Sequence, residues 1–490
     1  MATAQLTPQQ NKHRRQVRAF IAVWTGITLV TGLATFIAIY VAYGAFNLSS
    51  GQPQAMRNVT LPDGDAAVVS IATNTPFPTR SLTREAQPTT AAVTSEPQVV
   101  AQAAAATEAP TIAPTPLPID VTRFELGIQV QTPPDANPEL MNQWLSVAHD
   151  QMSLNWVKMQ VRWELFEPEP GQFDWWQTDL FLPRAAEMGV KVMVSVVTAP
   201  DWSREPGVDL EQHGPPADFA DYTNFLSELL NKYPGMIHGV EVWNEHNLDR
   251  EWTSTGGLSA ANYVDMLRVS YETIKNIDPG IIVVSGALSP TGLSDGVRAW
   301  DDFVYLDQMI AAGLLNYSDC IGVHHNGINV SPEYLWNQTP NDPTARFRGP
   351  FDNPHHSWSF RSTLETYHQK VELAGGDQPL CITEFGWAST EGFEQVEGFD
   401  GTVRGGFEFA LDNTLEEQRD FTVLAIENMA ASGDVRLAII WNLNYGPQAG
   451  WNPANDNVFY SLIGPGFQFR PAFDAIRDWQ REYEAQFGGG

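Results

Sequence analysis

Cysteine is nearly absent: the 490-residue chain holds 2, Cys320 and Cys381. So few thiols exclude a disulfide framework and a cysteine-based zinc site. Both fall in apolar runs, where a small buried thiol is an ordinary core residue, so free thiols are expected. Pairing requires that the two runs be neighbouring strands in an oxidising compartment. Positive charge is scarce as well. Lys and Arg number 28 against 58 Asp and Glu, a formal net charge of −30. Phosphate binding needs a basic surface, so nucleic acid is excluded as a partner. A Gly-rich loop after the first candidate strand is also missing, which argues against an open doubly wound sheet that binds a dinucleotide.

Aromatic and apolar residues are plentiful. The chain is 43% hydrophobic and carries 16 Trp, many of them just after candidate strands. That supports a large core and leaves flat apolar faces at loop positions. The ends differ from the middle. Residues 1–18 are a basic N-terminus with Lys12, Arg14, Arg15 and Arg18, and residues 20–46 are apolar and free of charge. This stretch is long enough to cross a hydrocarbon core of roughly 30 Å. The preceding basic residues would hold the N-terminus inside the cell and export the rest. Residues 19–46 therefore read as an uncleaved signal anchor. A cleaved signal peptide is the alternative, since Ala42, Gly44 and Ala45 offer a cleavage site. Residues 47–118 are dominated by Pro, Thr, Ala and Ser without an apolar period, as expected of an extended stalk.

From residue 119 to 487 short apolar runs alternate with amphipathic segments. Candidate strands cover 124–130, 156–161, 191–197, 237–243, 281–286, 320–324, 380–383 and 436–441. Candidate helices cover 138–153, 178–188, 216–232, 260–277, 301–312, 359–373, 415–432 and 471–484. Alternation on this scale is the pattern of an α/β chain, a (β/α)8 TIM barrel with enlarged loops. In such a barrel, active sites form where strands end and βα loops begin. Glu245 closes the run Val242-Trp243-Asn244-Glu245 at the fourth strand, and Glu384 lies in Ile382-Thr383-Glu384-Phe385-Gly386 at the seventh. Both carboxylates are then expected at one barrel mouth. Two facing carboxylates can cleave a glycosidic bond, one protonating the leaving oxygen while the other attacks the sugar carbon.

The surrounding motifs carry a family likeness. They are Val161-Arg162-Trp163-Glu164, Gln172-Phe173-Asp174-Trp175, Ala199-Pro200-Asp201-Trp202, Trp243-Asn244-Glu245-His246-Asn247 and Thr383-Glu384-Phe385-Gly386. In this order the segment 124–484 resembles the retaining glycoside hydrolases of clan A, nearest to members of families 39 and 5. The likeness implies Glu245 as acid/base and Glu384 as nucleophile. It departs at His246, where relatives often carry Pro, and at Val323-His324-His325-Asn326, where many carry a Tyr.

Around the pair, each candidate has two readings. Arg162 either keeps Glu384 ionised or forms an ordinary ion pair with Glu164 or Glu167. Asn244 either binds a sugar hydroxyl or turns the chain. One of His324 and His325 faces the pocket, because neighbouring strand residues point to opposite sides. No metal is expected there, since no third ligand stands at zinc spacing. Trp441 is expected to floor the sugar subsite. Trp202 and Trp387, with Trp252 and Trp451, either form further subsites or pack loops. The run 452–457 offers oxygen ligands of the kind calcium takes, and equally the residues of a plain turn.

The expected activity is double-displacement hydrolysis of a β-linked poly- or oligosaccharide outside the cell, with carboxyl groups about 5–5.5 Å apart and no organic cofactor. The rivals are a glycan-binding or structural protein on the same barrel and a transglycosylase. Oligomeric state is left open.

Overall fold

Eight short strands line up in parallel because each is an apolar run, rich in Val and Ile, with helices to cover its outer face. They are β1 (Glu125–Gln129), β2 (Trp156–Arg162), β3 (Lys191–Val197), β4 (Gly239–Val242), β5 (Ile282–Ser285), β6 (Ile321–Gly327), β7 (Leu380–Trp387) and β8 (Val435–Ile440). The computed structural model describes residues 123–133 and 135–487. The expected anchor at 19–46, the stalk at 47–118 and the last three glycines lie outside the described residues. Among the described residues no helix is long and apolar enough to cross a membrane.

The strands follow the order β5-β4-β3-β2-β1-β8-β7-β6. The remaining seam, between β5 and β6, is bridged by Ser285 N–H donating to the Cys320 carbonyl at 3.1 Å and Gly322 N–H to Ser285 Oγ at 3.0 Å. Only glycine fits at 322, since a Cβ there would stand 2.0 Å from the Ser285 carbonyl oxygen. The result is a nearly closed (β/α)8 barrel. The covering helices are α1 (Pro138–Ser146), α2 (Trp176–Glu187), α3 (Phe219–Lys232), α4 (Ala260–Ile277), α5 (Asp302–Ala311), α6 (Phe360–Leu373), α7 (Leu415–Ser432) and α8 (Pro471–Phe487). Side-chain caps start most of them. Ser259 Oγ accepts from Asn262 N–H at α4, and Thr414 with Glu417 forms a capping box at α7.

Inside the barrel two layers differ in kind. The lower layer is apolar and holds Trp156, Met193, Ile282, Cys320, Cys381 and Leu437. Gly127 lets β1 lie close against β2, because a Cβ at 127 would stand 2.6 Å from Trp156 Cβ and 2.8 Å from its carbonyl oxygen. One inward step further along the strands come Lys158, Ser195, Glu241 and Thr383, all fully buried. The apolar floor thus supports a polar layer that opens toward the strand ends.

Two expectations are corrected. Cys320 and Cys381 form a disulfide, with Cα atoms 5.7 Å apart. Ile321 stands opposite Leu380 in the β6–β7 ladder, so the two cysteines belong to neighbouring strands and face one interior layer. The second correction concerns strand ends. β6 continues to Gly327 and β7 to Trp387, so Glu384 sits within its strand and not after it. The two strands keep pairing through His324↔Glu384 and Gly327↔Trp387, past a register shift between Val323 and His324.

His238, just before β4, is buried and accepts the Val192 N–H at Nδ1 over 3.1 Å. Burial, and then the charge of Lys191, push its pKa down to about 4. The unfolded chain therefore binds the proton first. His238 contributes its stability above the unfolded value near 6.5 and loses it as pH falls toward 4. The loss is on the order of 3 kcal/mol. Urea unfolding of wild type and His238→Gln at a series of pH values should show a shallower acid decline in the variant; equal slopes would refute this account.

Candidate active site

The polar layer is organised by one lysine. Lys158 points inward from the middle of β2, with no exposed side-chain surface. Its Nζ donates to the Thr383 carbonyl at 3.0 Å and lies 3.3 Å from Glu384 Oε1 and 3.2 Å from Glu241 Oε2. Glu241 on β4 also accepts from Ser195 Oγ, from Thr383 Oγ1 at 2.6 Å and from Ala287 N–H at 3.3 Å. Burial opposes the charge on both groups, and their mutual attraction outweighs it. Lys158 is held above the usual lysine value and Glu241 below the usual carboxylate value.

His324 stands over this pair. Its Nδ1 is 3.3 Å from Glu245 Oε1, and its Nε2 is 3.8 Å from Glu241 Oε1 and 4.0 Å from Glu384 Oε1. Burial works against a charged ring, but Glu384, the Glu245 hydrogen bond and Glu241 together raise its pKa. For Glu384, burial comes first and moves the carboxyl above its ordinary value. His324 and Lys158 pull it back, while Glu245 and Glu241 add to the rise. One imidazole therefore touches both carboxylates expected to do the chemistry.

Glu245 is placed by an unusual turn. Trp243 and Glu245 have φ of 74° and 41°, the left-handed region that non-glycine residues avoid. Such residues cost roughly 1–3 kcal/mol each and persist only where the surroundings over-determine them. Here Trp243 N–H donates to the Val196 carbonyl at 3.2 Å and Glu245 N–H to the Ala287 carbonyl at 2.8 Å. The Asn247 side chain donates to the Ser289 carbonyl and the Trp300 carbonyl, each at 2.9 Å. Arg250 reaches Glu245 Oε2 at 2.9 Å and Glu251 Oε1 at 3.4 Å.

Several polar atoms are buried here without a protein partner among the described residues: both amide atoms of Asn244, Glu384 Oε2, Trp441 Nε1 and the Tyr460 hydroxyl. Each unmet group costs about 1–3 kcal/mol. Their grouping with Glu245 and Glu384 at the barrel mouth suits a ligand that supplies hydroxyl groups.

The remaining expected residues divide. Asn244 and Trp441 are buried at the ends of β4 and β8. Arg162 pairs with Glu164, and the cation beside Glu384 is Lys158. Trp202 is half-buried, donating Nε1 to the Glu167 carbonyl at 2.9 Å and standing edge-on to Trp163. Trp387 faces away from the pocket. Its indole donates to the Val330 carbonyl and packs against Phe360 and Phe421 among the covering helices. Trp252 is buried against Trp243, and Trp451 packs with Phe393. His325 lies on the outer side of β6, edge-on to Phe360. In the run 452–457, Asn452 and Asn455 accept from the amides of Ala454 and Asn457, the bonding of plain turns.

Sequence reasoning passed over Lys158, Glu241 and Arg250. For the first two a signal existed, since a charge at an inward period-two position of an apolar strand must have a buried partner.

No family model matches the chain, and no curated protein matches it by sequence. Solved structures do match. A family 39 glycoside hydrolase from the gut symbiont Bacteroides cellulosilyticus WH2 superposes with a TM-score of 0.51 at 16% identity, over 75% of this chain and 65% of that one. The chain thus spans just under two thirds of that protein's length. A GH5_18 protein from Streptomyces cattleya, solved in complex with GlcNAc, gives a TM-score of 0.51 at 15% identity, over 75% of this chain and 82% of that one. At such identities the likeness establishes the fold: a (β/α)8 barrel of the kind glycoside hydrolases use.

Removing the lysine charge tests the cluster. Lys158→Met leaves Glu241 and Glu384 buried without their cation and should cost about 3–5 kcal/mol in urea unfolding. Adding Glu241→Gln should recover part of that loss. Equal stability of Lys158→Met and wild type would contradict the assigned role.

Proposed function

We propose that the chain is a retaining glycoside hydrolase that cleaves β-glycosidic bonds in an extracellular poly- or oligosaccharide. The observation that carries this reading is the pair Glu245 and Glu384, buried just after β4 and within β7 of one barrel and joined through His324. The contacts support the roles that the motif order implies. Lys158 lies 3.3 Å from Glu384 Oε1 and, with His324, favours the charged form of that carboxyl against burial, so Glu384 serves as the nucleophile. Glu245, across His324 from it, serves as the acid and gives its proton to the leaving oxygen.

Glu384 attacks the anomeric carbon as Glu245 protonates the departing oxygen, so that one C–O bond forms while another breaks. Water then enters, Glu245 takes its proton, and the sugar leaves with its configuration retained. Asn244 and Trp441 offer their unpaired donors to the sugar hydroxyls. The reading extends to placement. Residues 19–46 serve as a single-pass anchor, 47–118 as a stalk, and 119–487 as the outward-facing barrel, supported by the composition of those segments.

A screen of aryl β-glycosides and polysaccharides tests the proposal. Glu384→Gln should lower kcat/KM at least about 10³-fold. Glu245→Ala should lower it about 10²–10⁴-fold, and less on substrates whose leaving group needs no proton. Activity should vanish as pH falls through the raised value of Glu384, placing the acid limb above the ordinary glutamate pKa near 4.3. Product NMR should show retention. An inverted product would overturn the mechanism, and binding without turnover across the panel would favour a glycan-binding role.

A further inference from the structure

A second His-rich group lies away from the catalytic pair. Among the described residues, Asp301, His355 and His356 bring one ligand atom each to within 4.8 Å of one another. Asp301 is the cap of α5, at the end of the loop from β5, and the two histidines lie between β6 and α6. His356 Nε2 is 2.7 Å and His355 Nε2 is 3.8 Å from the same oxygen, Asp301 Oδ2. Two ligands held about 2.0–2.1 Å from a tetrahedral ion stand about 3.3 Å apart, between these two separations.

The far sides of both rings face groups of the kind that orient metal-binding imidazoles. His356 Nδ1 lies 3.8 Å from Asp302 Oδ1, and neither atom has another partner, although both are buried. Asp302 is itself steadied by Tyr367, whose hydroxyl donates to Oδ2 at 3.2 Å, and the His356 ring stacks on Phe303. His355 Nδ1 lies 3.0 Å from Ser357 Oγ, which can accept a hydrogen bond from its N–H, and 3.3 Å from the Ser357 amide, which donates to it in the other tautomer. Metal binding through Nε2 gives up the amide contact and keeps the hydroxyl. A proton on His356, bridging Asp301 and Asp302, would satisfy one ring. It leaves unexplained a second imidazole aimed at the same oxygen.

The geometry points to a divalent metal site in which Asp301, His355 and His356 bind a borderline ion such as Zn²⁺ or Co²⁺. Nitrogen and carboxylate donors in this ratio suit zinc-type ions rather than calcium or magnesium. His355 is one third exposed, leaving an open side for water. The ion would tie the loop from β5 to the loop from β6 at the barrel mouth. That rim is already joined to the Glu245 turn, since Trp300 N–H donates to the Asn247 carbonyl at 2.9 Å. The site stands independently of the glycosidase reading.

Titration of the purified, metal-stripped full chain with Zn²⁺ by calorimetry, and with Co²⁺ by visible absorption, tests the site. One equivalent should bind and raise Tm. Asp301→Asn, which retains the helix cap, and His355→Gln/His356→Gln should abolish binding and the Co²⁺ spectrum. Asp302→Asn should weaken affinity about 10–100-fold. Glu384→Gln and His324→Asn should bind as wild type does. No binding at 100-fold excess of metal would overturn the proposal. So would binding that survives in the double histidine variant or is lost in His324→Asn.

Discussion

The polar layer at the mouth of this barrel depends on a lysine with no exposed side-chain surface. Lys158 is enclosed by Glu241, Glu384 and the Thr383 carbonyl. A lone ammonium at that depth would lose its proton or unfold the barrel. It survives because Glu241 is held ionised by four donors of its own, from Lys158, Ser195, Thr383 and the Ala287 amide. The apolar floor beneath, filled by Trp156 and the disulfide, keeps water from entering below. The cluster then continues upward through His324 to Glu245.

That asymmetry gives the two glutamates different surroundings. Glu384 shares the lysine, whereas Glu245 meets His324 and Arg250 on a strained turn. Environment, not residue type, sets how two carboxyl groups of one kind titrate. The unpaired atoms of Asn244, Trp441 and Tyr460 give the pocket polar demand that the protein itself leaves unmet. A sugar, with hydroxyl groups on every face, can meet it.

Much of the barrel was legible along the chain, because strand and helix periods alternate clearly and the loops carry few competing apolar runs. The expected helix 260–277 coincides with α4, and the strand 191–197 with β3. Glu245 and Glu384 were legible for the same reason. Lys158 was overlooked because the stretch Trp156–Arg162 reads as a strand whatever its one inward charge does. Trp387 was assigned to the mouth because its strand was ended too early. β7 runs four residues further, and at Trp387 the alternation points outward. His355 and His356 carry no local signal, since their partner Asp301 is 54 or more residues away in sequence.

The sequence by itself determined the period of each element, the order of strands and helices along the chain, and the two strands, β4 and β7, that bring a glutamate to the mouth. Hydrophobic patterning is local, so it survives in one dimension. Only the tertiary structure decided which charges meet. Closure of the barrel brings β2, β4, β6 and β7 to one axis, so that Lys158, Glu241, His324 and Glu384 become neighbours. The same packing of neighbouring strands set Cys320 beside Cys381. Electrostatic partners are chosen by distance through space, which no spacing along a chain records.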